Sequence, residues 1–204
     1  LAFINSREGA GKGSFSELLK RLFACGENTH VSFNSLTSFS NSFNGVQSRA
    51  LWIVLEEVSA RRGGLKDWNG LLKDTISSTT LLCEINNKER QQIPFFGNLI
   101  IFSNEFQVLS CSKFDRRLVF FSSDNSMANN KEYFVTLWKE LDSLRHLKCC
   151  FDYFSNLDTS DFNYRALPFS HVKEKLAQCS EKHVTKFHRY LFKQVYCDQK
   201  SYQF

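Results

Sequence analysis

Leu1-Ala-Phe-Ile-Asn-Ser-Arg-Glu-Gly-Ala-Gly-Lys-Gly-Ser-Phe15 is the stretch that decides how this chain folds. It opens with a short apolar run to Asn5, followed by a polar, glycine-containing loop from Ser6 to Gly13. Phe15, Leu18, Leu19, Leu22 and Phe23 then recur at helical spacing, with Ser14 as N-cap and Glu17 as its capping-box partner three residues on. Strand, glycine loop and helix in that order place successive backbone N–H groups around a concavity at a helix N-terminus. Phosphate oxygens are favoured there by hydrogen bonding and by the helix dipole. Gly9, Ala10, Gly11, Lys12, Gly13 and Ser14 are therefore the predicted nucleotide-binding residues, with Lys12 reaching the β/γ-phosphates as a point charge. The loop departs from G-x-x-x-x-G-K-[ST] twice. Ser6 takes the first glycine position, and Gly13 follows the lysine where a Ser or Thr usually touches Mg²⁺. Ser14, one residue late, or a water is left to supply that oxygen. An incidental glycine turn capping a helix is the plainer alternative, and the flanking strand and helix argue against it.

Working outward, Leu51-Trp-Ile-Val-Leu55 shows no alternation and reads as a strand covered on both faces, as in a parallel sheet. A strand beside a phosphate loop should end in an acidic group aimed at Mg²⁺, and this one ends in Glu56-Glu57. Glu56 is assigned to the metal shell and Glu57 to polarising the attacking water; a solvated acidic pair opening a loop is the alternative. Leu99-Ile-Ile-Phe102 is a further buried strand, ending in Ser103-Asn104-Glu105, and Asn104 is placed to orient that water at the edge where α/β sheets bind ligands. By itself, an Asn after a strand is more often a turn residue. Asp115-Arg116-Arg117 precedes the strand Leu118–Phe121, and either arginine can act in trans on the triphosphate of a neighbouring subunit. A surface ion pair is the alternative there, and spacing alone does not separate Arg116 from Arg117.

Val31–Phe33 reads as another strand, Leu65–Ile76 as a helix, and Thr79–Pro94 as a strand pair around the polar tip 86–90. After Asp124 the pattern changes to helical periodicity over Lys131–Leu147 and His171–Tyr196, with a loop at Asp158–Pro168. The expected architecture is α/β: a mostly parallel central sheet flanked by helices over residues 1–124, and a helical C-terminal region over 125–204. Hydrophobic residues at 42% and charged residues at 23% suit a folded domain and exclude a disordered tail. No apolar run reaches the roughly 18 residues of a membrane span, so no membrane partner is expected. The opening at Leu1, without Met or a signal segment, suggests a piece of something longer. Seven scattered cysteines without a CxxC pair read as reduced thiols of an intracellular, cytosolic or nuclear, protein. Cys179 and His183, four apart, fall short of the four ligands a zinc site needs. A net charge of +5 permits a nucleic-acid partner without requiring one.

The ordered set of segments resembles superfamily 3 helicases, and within them the helicase domain of poxvirus-type and of phage and plasmid primase-helicases. Glu8–Phe15, Leu51–Glu57, the Lys88-containing segment, Phe95–Asn104 and Asp115–Phe120 look like motifs A, B, B′ and C and the arginine finger. Phe43-Asn-Gly45 and Asp158–Pro168 also look like that group, so the resemblance runs from about Leu1 to Leu191. It implies a P-loop, AAA+-like fold and a homo-hexameric ring that hydrolyses ATP with Mg²⁺ between subunits and translocates on single-stranded DNA during replication. Carried over by residue, it implies Lys12 on phosphates, Glu56 and Glu57 as the acidic pair, Asn104 as sensor and Arg116 or Arg117 as finger. It makes Lys88 and Arg90 backbone-phosphate contacts on a loop projecting into the pore; without it, a basic pair on a hairpin tip is usually only solubilising. Typical members carry a primase region upstream; this chain has none, and priming is not attributed to it.

Two other readings compete. Gly9-Ala-Gly-Lys-Gly-Ser14 is similar to the loop of adenylate kinases, although Glu56-Glu57, Asn104 and Asp115-Arg-Arg117 do not suit a kinase plan. Gly13 and Glu56 also suit a P-loop module that binds DNA or assembles without hydrolysing ATP. Phe95-Phe96 are read as core rather than as base-stacking rings. Lys173, Lys175, Lys182, Lys186, Arg189 and Lys193 are read as a solvated helix face.

Overall fold

A computed structural model gives the fold and describes residues 1–4, 8–23, 29–41, 45–58, 65–84, 90–106, 108–112, 114–163, 166–168, 170–180, 187 and 190. The elements are β1 (Ala2–Ile4), α1 (Lys12–Phe23), β2 (His30–Phe33), α2 (Leu36–Asn41), α3 (Gly45–Ser48), β3 (Trp52–Leu55) and α4 (Leu65–Ser77), then β4 (Thr80–Glu84), β5 (Arg90–Pro94), β6 (Asn98–Ser103), β7 (Phe120–Phe121), α5 (Lys131–Asp142), α6 (Leu144–Ser155) and α7 (His171–Ser180). Five strands form a parallel sheet in the order β2-β3-β6-β1-β7. β4 and β5 form a separate antiparallel pair in which Thr80 faces Pro94.

The sheet is covered on both faces, which is why β3 and β6 lack alternation. Ala2, Ile4, Ile53, Leu55, Leu99, Ile101 and Phe120 point to one side, into a core shared with Phe39 of α2, Leu72 of α4 and Leu176 of α7. Their sequence neighbours Phe3, Val54, Ile100 and Phe102 point to the other, against Phe15, Leu19 and Phe23 of α1. Beyond α1 lies α6, whose Phe151 ring sits 6.5 Å from that of Phe23. Arg21 ties α1 to the end of α5 by donating from Nη1 to Leu141 O at 2.8 Å and to Asp142 Oδ1 at 2.6 Å.

Three sequence expectations change. α1 begins at Lys12, so Ser14 lies in its first turn and is not the N-cap; the turn at Gly11 starts the helix early, and Phe15 N–H donates to Gly11 O at 3.2 Å. The single periodic segment Lys131–Leu147 is two helices divided at Ser143, and the second runs on to Ser155. Ser143 sits at φ −85° and ψ 111°, ends α5 through its N–H to Glu140 O, and accepts on its hydroxyl from His146 N–H to start α6. Phe95 is core as expected, but Phe96 is 80% exposed, because the chain has left β5 and turns outward there. Among the described residues, no helix is long and apolar enough to cross a membrane. No group of three or more potential metal-binding His, Cys, Asp or Glu side chains is found among them either. Cys179 is exposed on α7, and His183 lies outside the described residues.

Candidate active site

Strand β6 is inserted between β1 and β3, and the register aligns their carboxyl ends: Ile4 pairs with Ser103, and Leu55 with Ile101. The segments leaving these three strands therefore open onto the same edge, as in other open α/β sheets that bind ligands at a change of strand order. A cleft of about 320 Å³ lies there, walled by the loop from Glu8 to Gly13, by Glu56 and Glu57, and by Phe102, Ser103 and Asn104. Residues far apart in sequence thus meet around one space: Lys12, Glu56, Glu57 and Asn104.

The loop owes its shape to two glycines. Gly9 has φ +73° and Gly11 φ +88°, a region that L side chains rarely adopt. Lys12 Nζ donates to Asn104 Oδ1, so the lysine rests on the strand-end amide. Burial lowers its pKa, while the carboxylates of Glu8 and Glu57 act in the opposite sense. Glu8 is a cleft residue to which its position in sequence assigned no task.

The acidic turn is pinned on both sides. Glu56 N–H donates to Phe33 O at 2.8 Å, and Val58 N–H to Phe102 O at 3.1 Å. Between them Glu57 has φ +52°, an unusual conformation for a residue with a side chain and one that concentrates at functional sites. Ser103, fully buried, completes the support: its hydroxyl donates to Val58 O at 2.7 Å and accepts from Glu105 N–H at 3.0 Å. A serine following a buried strand looks like an ordinary turn residue, so only the fold discloses that Ser103 holds the acidic turn and Asn104 at one edge.

Other predicted site residues lie elsewhere. Ser14 is buried and faces a second cavity between α1 and α5, not the cleft. Arg116 and Arg117 are exposed and do not line the cleft, and the Arg117 Nε–H donates to Ser77 Oγ at 2.9 Å. Lys88 lies outside the described residues, and of Arg90 only its place at the start of β5 is described. Lys182, Lys186, Arg189 and Lys193 of the basic segment also lie outside them.

Residues 4–117, more than half of the chain, match the model of a family of unknown function, DUF5906. The chain belongs to that family. The match takes in the glycine loop, the acidic turn, Asn104 and both arginines, so the cleft is built wholly from the DUF5906 segment. Among solved structures, the apo structure of the NrS-1 C-terminal region aligns with a TM-score of 0.74 and 23% identity, covering 90% of this chain and 43% of that one. An A form apo structure of the same region gives a TM-score of 0.72 and 25% identity, covering 89% and 42%. This DUF5906 member thus spans less than half the length of those structures, and the likeness is one of fold. A JCV helicase structure reaches a TM-score of only 0.45 at 15% identity, over 88% of this chain and 49% of that one, too low to weigh. No curated protein matches the sequence.

Proposed function

We propose that the chain is the motor part of a superfamily 3-type DNA helicase, which hydrolyses ATP between the subunits of a homo-hexameric, AAA+-like ring and moves on single-stranded DNA in viral or mobile-element replication. The observation that supports this most is the meeting of Lys12, Glu56, Glu57 and Asn104 around one cleft beside the glycine loop. In this reading the N–H groups of the loop and Lys12 hold the triphosphate. As the phosphates draw Lys12 away, Asn104 is freed to orient a water, and Glu57 takes that water's proton as it attacks the γ-phosphorus and ADP leaves. Bound Mg²⁺ would neutralise charge on the phosphate oxygens. Two carboxylates beside phosphates suit that ion, and Glu56 would hold it, with water where a P-loop hydroxyl usually stands because Ser14 faces away.

Of the two arginines, Arg116 is the one we assign to act on a neighbour's nucleotide. Arg117 is engaged at Ser77, whereas Arg116 is exposed and makes no hydrogen bond or ion pair among the described residues. Lys88 and Arg90 are assigned to the DNA backbone. Lys88→Ala is expected to lower the salt slope of single-stranded DNA binding by about one, and an unchanged slope removes it from the interface.

The test of the reading is phosphate release by the purified chain with and without single-stranded DNA, for wild type and Glu57→Gln. Glu57→Gln should bind ATP normally and lose hydrolysis. Wild-type turnover in that variant, or no turnover in either protein, would overturn the proposal.

A further inference from the structure

Large apolar side chains lie open at the end of α6 and just past it: Phe151, Tyr153, Phe154, Leu157 and Phe162 are each between 46% and 71% exposed. No residue of α6 is buried, and the contact with the Phe23 ring of α1 leaves Phe151 itself nearly half open. Single exposed apolar side chains are ordinary, but this many in one short stretch mark an interaction surface. The frame that presents them is fixed. Asn156 N–H donates to Asp152 O at 3.1 Å and its Nδ2 to the same oxygen at 2.7 Å, which closes the end of the helix. Beyond it, Ser160 N–H donates to Asp158 Oδ1 at 2.9 Å and Phe162 N–H to Thr159 O at 3.0 Å, shaping the turns that follow. The Tyr153 and Phe154 rings stand edge to face, with centroids 5.4 Å apart.

Charge on this stretch is of one sign. Asp152, Asp158 and Asp161 are exposed, and residues 149–163 contain no Lys or Arg. None of the three carboxylates forms an ion pair among the described residues. An aromatic surface with an acidic rim is complementary to a basic, aromatic occupant. The same chain holds one. Residues 182–193 include Lys182, Lys186, Arg189 and Lys193 and no Asp or Glu, interleaved with Phe187, Tyr190, Leu191 and Phe192, and Tyr190 is exposed. The two stretches belong to opposite layers of the fold. α6 lies outside α1 on one face of the sheet, whereas α7, which precedes the basic stretch, packs Leu176 into the core on the other face. The basic stretch thus sets out from the far side of the sheet, which favours a second copy over the chain's own segment as the occupant.

We propose that the acidic, aromatic end of α6 is a docking surface for residues 182–193 of a second copy of this chain. Such a contact joins two different patches, so assembly proceeds head to tail, into a ring where the rotation closes. Apolar rings supply the contact area, and the rim charges set register and speed of encounter. The contact uses no residue of the Lys12 cleft and stands apart from the motor chemistry proposed above.

Sedimentation velocity of the intact chain over a range of concentrations, without nucleotide or DNA, tests it. Wild type should grow in size with concentration. Asp152→Lys combined with Asp161→Lys, which leaves the Asp158 turn intact, should weaken association about tenfold or more, and so should Lys186→Glu combined with Arg189→Glu. Mixing the two reversed proteins should restore association, because the basic face of one then meets the acidic stretch of the other. Phe162→Ser, at a side chain 71% exposed and therefore with little to lose in folding, should weaken association without reversing a charge. A wild type that stays monomeric, reversed proteins that associate as wild type does, or unchanged association in Phe162→Ser overturns the proposal. Loss in both reversed proteins with no recovery on mixing overturns the second copy as occupant. If association stands while ATP hydrolysis fails, only the motor reading is lost.

Discussion

The cleft at Lys12 and the corner at Asp115 both set cations beside carboxylates, and they are satisfied to opposite degrees. At the corner almost every polar atom is used. Buried Asp115 faces Lys73 Nζ at 3.5 Å through Oδ2, accepts from Arg117 N–H at 2.9 Å on Oδ1, and accepts from Lys173 Nζ on its backbone oxygen. Those bonds join α4, α7 and the approach to β7. In the cleft, Lys12 has one neutral partner in Asn104, and Glu56 and Glu57 have no ion pair or side-chain hydrogen bond among the described residues. A saturated network fixes shape, because breaking it strands buried polar groups. An unsaturated one keeps its charges for a ligand. Lys12 and Lys73 therefore should fail differently when removed, although both stand near a carboxylate.

The largest expected effect separates the two directly. Lys12→Ala should take ATP hydrolysis below detection, a loss of about 10²–10³-fold or more for a single group acting on transition-state charge, with the thermal midpoint little changed. A large fall in the midpoint with turnover kept would mean that Lys12 belongs with the structural cations.

Next in size is the divided arginine pair. Arg116→Ala should lower hydrolysis by about 10³-fold while ATP binding is retained, and adding it to wild type should poison mixed assemblies. Arg117→Ala should do less, since its guanidinium already serves Ser77. Equal effects in the two variants would erase the distinction drawn here, and full activity in both would remove the trans role.

Asp115→Ala should act on stability and not on chemistry. Losing the two partners of the buried carboxylate, Lys73 and the Arg117 N–H, costs about 1–3 kcal/mol, read as a lower urea midpoint, with ATP affinity unchanged in the folded fraction. Weaker ATP binding at unaltered stability would place Asp115 in the site after all.

The same contrast marks how far the sequence could be read. β3 and β6 were legible because a strand covered on both faces has an unbroken apolar run, and Lys12, Glu56, Glu57 and Asn104 were legible because each lies in the glycine loop or just past such a strand. Local pattern records periodicity and turn chemistry, and Lys12, Glu56, Glu57 and Asn104 needed only those plus parallel strands. What it does not record is approach across the fold. Ser103, Asn129 against Gly9, and Arg117 against Ser77 depend on segments that meet only in three dimensions. The break at Ser143 was hidden for another reason: the apolar period continues across it, and only the capping hydroxyl interrupts the backbone.

The smallest expected effect concerns a pair joining α1 to β2 that lines neither cavity. His30 of β2 lies half-buried with Nε2 3.2 Å from Ser16 Oγ, and its pKa is lowered, chiefly by burial and then by Lys20. The unfolded chain takes up that proton near pH 6.5, whereas the folded chain resists it until lower pH. Between those points the unfolded state binds more protons, so stability rises with pH through the window and falls as the solution is acidified. His30→Gln keeps a hydrogen-bonding group toward Ser16 and removes the titration. Thermal melts of wild type and variant between about pH 7 and pH 5 should therefore converge or cross toward the acidic end, where the wild type loses its advantage. Parallel curves would show that His30 is a spectator in the pH dependence of this fold.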